Sequence, residues 1–67
     1  MQTWAVAETA RFLEERDLAG PTEQARRSCV NGADLLRVSA SELVKEVGLT
    51  PFAARKVIAA RAAFLQA

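Results

Sequence analysis

The chain has 67 residues, 51% of them hydrophobic, and nine Lys and Arg stand against eight Asp and Glu for a net charge of +1. A single domain, 1–67, of this size buries only about 60% of its unfolded surface, and the apolar content excludes an intrinsically disordered segment. The near balance of charge argues against bulk duplex DNA as a partner, and the absence of histidine with a single Cys29 excludes a disulfide framework and the usual zinc-ligand and His-based catalytic spacings.

The N-terminus "MQTWAVAE" has no basic region followed by an apolar run, so no signal peptide is expected. A first helix is predicted to open near Thr3-Trp4, to carry Val6, Ala10 and Leu13 at helical spacing, and to end near Asp17-Leu18. "AGPTEQARRSCV" starts a second helix, with Pro21 suited to the first helical position. Arg26 and Arg27 are neighbours, so they do not share a helical face and read as solvated. Cys29 is expected to be a small buried hydrophobe rather than a nucleophile, for want of a histidine base. Asn31-Gly32 reads as a stop or turn, and "ADLLRV" has room for one helical turn.

Ser39 with Glu42 fits a capping box, in which hydroxyl and carboxylate each satisfy a free backbone N–H, and opens a fourth helix that runs to Val47. Gly48 stops it in the left-handed conformation. Thr50 then caps, and Pro51 begins, the longest helix, about 16 residues or roughly 24 Å. Its inner stripe is predicted as Ala54, Ile58, Ala62 and Leu65, with Val57 and Phe64 on one flank and the stem of Arg61 snorkelling between. Trp4, Leu13, Leu36, Leu43, Val47, Ile58 and Leu65 are expected to be largely buried. No segment alternates with period two, so no strand is predicted, and the loops are short throughout. The fold class expected is all-α, a compact five-helix bundle with a long C-terminal helix.

Phe52, Arg55 and Lys56, at spacings of three and four, fall on one face of that last helix, turned from the predicted inner stripe. An exposed aromatic ringed by cations has the makeup of an interface hot spot. The plain alternative is that Phe52 folds back on the Val47–Leu49 turn and the cations are simply solvated.

The ordered set of motifs resembles a sterile alpha motif (SAM) domain over about 60 residues. Its pieces are Trp4 followed by "VAE" and Phe12-Leu13; Val30, Asn31 and Gly32 followed by Leu35-Leu36; Ser39, Glu42 and Leu43; Gly48-Leu49-Thr50; and the basic helix start with Arg55 and Lys56. Asn31 stands where the family usually has an acid, Ala25 where it often has a large aromatic, and Ala53-Ala54 where Gly-His is common. The resemblance implies a protein–protein interaction module with no catalytic residues, no metal and no cofactor. Its partner would be another SAM domain, of the same or a different protein, rather than a membrane or a small-molecule substrate. SAM domains commonly pair head to tail, an "end-helix" surface against a "mid-loop" surface, a heterologous contact whose repetition gives a polymer. The end-helix side would be Thr50, Pro51, Phe52, Arg55 and Lys56; the mid-loop side, Asp34, Leu36, Glu42 and Glu46. An intracellular location is expected with it, and Met1 with the close boundaries gives the expectation of a unit cut from something larger.

Two nucleic-acid readings compete. Some SAM domains resemble RNA-hairpin-binding modules, and Arg11, Arg16, Arg55, Lys56 and Arg61 would supply the patch, although acids interleave with the arginines of the first helix. "VGLTPFAARKVI" also resembles half of a helix-hairpin-helix motif that grips a DNA backbone, but Thr50 occupies the place where that motif wants a second glycine.

Overall fold

The computed structural model describes residues 1–66. Helices account for 73% of them and none lies in a strand. There are five: α1 (Val6–Glu14), α2 (Ala19–Arg27), α3 (Gly32–Arg37), α4 (Ala40–Glu42, continuing unbroken as a π-helical turn, Leu43–Val47) and α5 (Pro51–Gln66). The molecule measures 25 × 22 × 21 Å. At 1.5 Å per residue α5 is about 24 Å long and spans the whole bundle. α1 lies chiefly against α2 and α4 against α5. The core is formed by Phe12, Leu13, Leu18, Ala25, Val30, Leu35, Leu43, Val47, Leu49, Ala54 and Val57.

Several boundaries differ from the sequence reading. α1 begins at Val6 rather than Thr3-Trp4, because the chain before it is held elsewhere. Trp4 N–H donates to Met1 O, and Trp4 O accepts the N–H of Gly32 at 2.9 Å. Pro21 is the third residue of α2 rather than the first. It still lies in the first turn, where a missing N–H costs no helical bond.

Asn31-Gly32 does not stop α2; it starts α3. Asn31 caps, its Oδ1 accepting from Asp34 N at 2.9 Å, and Gly32 is the first helical residue. A Cβ on Gly32 would overlap the Met1 carbonyl oxygen and come within 2.7 Å of Trp4 Cβ, so the N-terminal segment crosses α3 over bare backbone. The stop signal of α2 is Cys29, at φ 54°. That left-handed turn brings Val30 N–H to Ala25 O and buries Val30, while Cys29 itself is exposed, contrary to the expectation of burial.

The long helix is rolled relative to the prediction. Its buried residues are Ala54 and Val57, with Ile58, Arg61 and Phe64 half-buried, whereas Ala62 is exposed and Leu65 is 55% exposed. The cause is an aromatic trio. Phe64 meets Trp4 and Phe12 with ring centroids 5.3 and 5.4 Å apart, which turns the Val57–Phe64 flank inward and Leu65 outward. Trp4, Leu36 and Ile58 are half-buried rather than buried; Leu13, Leu43 and Val47 are buried as expected.

Candidate protein-interaction surfaces

The start of α5 is built by three consecutive devices. Gly48 takes φ 88°, Leu49 turns into the core with its N–H on Leu43 O, and Thr50 Oγ1 accepts the N–H of Ala53 at 3.1 Å. With Ala54 and Val57 fixed inward, helical periodicity sends Phe52, Arg55 and Lys56 outward. All three are exposed, as are Thr50 and Pro51. Phe52 is 63% exposed, the larger of the two exposed bulky apolar side chains among the described residues. It is not among the side chains packed on the core. Instead Lys56 sets its Nζ 4.6 Å from the ring centroid.

Two open hollows adjoin this helix start. One is lined by Ala40, Ser41, Val44, Pro51, Ala54 and Arg55, the other by Pro21, Gln24, Leu49, Thr50 and Ala53 among others. No acid occurs anywhere in α5, and among the described residues neither Arg55 nor Lys56 forms a salt bridge. The surface is therefore an aromatic knob between shallow hollows with uncompensated positive charge.

The mid-loop residues lie on α3, α4 and the π-helical turn, all exposed except Leu36, which is half-buried and is not among the side chains packed on the core. Asp34 and Glu42 share one hollow with Arg37 and Val38. Each acid also closes a capping box: Asp34 Oδ2 accepts from Asn31 N, and Glu42 Oε1 accepts from Ser39 N at 3.0 Å. The sequence reading missed Arg37, which lies 3.6 Å from Asp34 on an exposed edge. Such a pair contributes only about 0–1 kcal/mol, so it dilutes the acidity of the hollow without locking it. Its i,i+3 spacing was the signal available in the sequence.

The arginines proposed for an RNA patch do not form one set. Arg61 Nη1 donates to Leu35 O at 2.9 Å and Val38 O at 2.7 Å. The guanidinium of Arg16 lies 3.9 Å over the Phe12 ring and donates to Phe12 O. The hollow that Arg11 and Arg16 border also carries Glu8 and Glu15.

Among the described residues no three or more Cys, Asp or Glu side chains are gathered as metal ligands, and no helix is long and apolar enough to cross a membrane. No family model, curated protein or solved structure matches the chain.

Proposed function

We propose that this chain is a SAM-type protein-interaction module, not an enzyme, that associates head to tail with another SAM domain. The end-helix surface of one molecule (Thr50, Pro51, Phe52, Arg55, Lys56) receives the mid-loop surface of the next (Asp34, Leu36, Glu42, Glu46). The exposed Phe52 ring under Lys56, at the start of a helix with no acid, carries the reading. A large apolar ring held in water by a capped, rigid helix start gains from being covered, and the flanking cations select an acidic cover. The opposing hollow supplies Asp34 and Glu42 with Val38 and Arg37 between them, and a net charge of +1 sets little repulsion against self-association.

RNA recognition is the weaker reading, because Arg16 and Arg61 are engaged within the fold and Glu8 and Glu15 flank Arg11. A module of this kind, with one exposed free thiol, suits an intracellular scaffold or signalling protein. The test is light scattering after size exclusion over a range of concentrations, beside a mobility-shift assay with mixed RNA hairpins. Growth in mass with concentration and no RNA shift supports the proposal; an RNA shift from a monomeric protein overturns it.

A further inference from the structure

We infer that Arg61, in the C-terminal half of α5 and nine residues beyond Phe52, is a positioning residue that sets the geometry of the acidic mid-loop surface. The inference rests on the head-to-tail reading above and assigns Arg61 a part in it. One nitrogen, Nη1, faces three backbone carbonyls: Val38 O at 2.7 Å, Leu35 O at 2.9 Å and Leu36 O at 3.5 Å. Leu35 and Leu36 lie in the last turn of α3, where carbonyls have no partner within the helix and a cation complements the helix dipole. Val38 lies at the corner just before Ser39, the cap of α4.

The corner matters because of how the acids are held. Asp34 is bonded to its own helix start through Asn31, and Glu42 to its own through Ser39. Each carboxylate therefore moves with its helix. Only Val38 and Ser39 separate α3 from α4, so the distance between the two acids across their shared hollow is set by that corner. α3 packs mainly on α1, whereas α4 packs on α5. The Arg61 side chain ties the α3 side of the corner to the helix that carries α4, across 23 to 26 residues of sequence.

The positioning account and a purely electrostatic one predict opposite signs. Removing a positive charge near Asp34 and Glu42 makes the surface more acidic, which alone would tighten binding to a cationic end-helix face. Loss of the clamp instead weakens it.

The test isolates one face at a time. Lys56→Glu leaves only the mid-loop face competent and Glu46→Lys only the end-helix face, so the two proteins should form a heterodimer. If they do not, the head-to-tail reading fails and the inference with it. If they do, Arg61→Met is added to each in turn. On the Lys56→Glu protein it should weaken the heterodimer by a few-fold to about thirtyfold, the range over which a residue that touches neither partner modulates binding; on the Glu46→Lys protein it should change nothing. Unchanged or tighter binding on the mid-loop side, or an equal loss on both sides, overturns the inference while the reading stands. Should Arg61→Met fail to give a helical far-UV spectrum, the native arginine is the probe. Its guanidinium N–H resonances in the Lys56→Glu protein should be protected from exchange and should shift when the Glu46→Lys protein binds. Unprotected resonances that do not move overturn the inference.

Discussion

Lys56 holds its ammonium 4.6 Å from the centre of the Phe52 ring, one turn along the outer face of α5, so the bulkiest exposed apolar group among the described residues carries a cation on it. The pair is local, i to i+4, and exposed, so its contribution to folding is only about 0.5–1 kcal/mol. Its consequence is a surface that is apolar and positive at one point.

Phe52→Ala should therefore separate association from stability. Truncating a central aromatic anchor costs about 2 kcal/mol or more, roughly a thirtyfold loss of affinity. Because Phe52 lies outside the core, the melting temperature should fall only by the few degrees that loss of the Lys56 contact implies, about 4–8 °C per kcal/mol for a domain of this size. Sedimentation equilibrium and thermal dichroism of the same sample check both halves.

The charges around the anchor should act differently. Arg55→Ala and Lys56→Ala should each weaken association less than Phe52→Ala does, and mostly at low salt, since exposed charges are screened beyond about 10 Å at 0.1 M ionic strength. Association measured at low and moderate salt reads this directly.

Leu43 is 3% exposed at the point where α4 changes to π-helical pitch, and its carbonyl receives Leu49 N–H. Leu43→Ala should destabilise the chain by about 2–5 kcal/mol. For so small a domain that is a large share of total stability. Chemical denaturation should show a lower midpoint or an unfolded protein.

Gly32→Ala should be damaging although alanine is the better helix former, because the methyl would have to displace the Met1–Trp4 segment. Cys29→Gly should do the reverse. A left-handed residue with a Cβ costs roughly 1–2 kcal/mol, so glycine at φ 54° should raise the denaturation midpoint. A Gly32→Ala protein as stable as the unaltered chain would contradict the first argument, and a Cys29→Gly protein no more stable than it would contradict the second.

Much of the helical framework was legible from local chemistry. Ser39, Thr50, Pro51 and Gly48 act within a few residues of themselves, and each stands where its chemistry requires. What was not legible depends on distant partners. Gly32 read as a turn because nothing local reveals that Met1 and Trp4 cross it. Cys29 read as buried because a free cysteine is ordinarily a small core hydrophobe, and nothing local reveals that it closes α2 in the left-handed conformation. The roll of α5 was missed because the apolar residues leave two inner stripes open. Phe64 meeting Trp4 and Phe12 across 52 to 60 positions of sequence decides between them. Of the candidate surfaces, the outward face of Phe52, Arg55 and Lys56 followed from spacing alone. Arg37 beside Asp34, and Arg61 clamping the α3–α4 corner, required the fold.

The measurement that tests head-to-tail association most directly is the weight-average mass of the unaltered chain from micromolar to near-millimolar concentration. The account predicts a mass that climbs steadily past the dimer as concentration rises, because a heterologous contact leaves one face open on every complex. A mass that stays at the 7.3 kDa monomer up to near-millimolar concentration would contradict self-association. A plateau at a closed dimer would contradict the head-to-tail geometry.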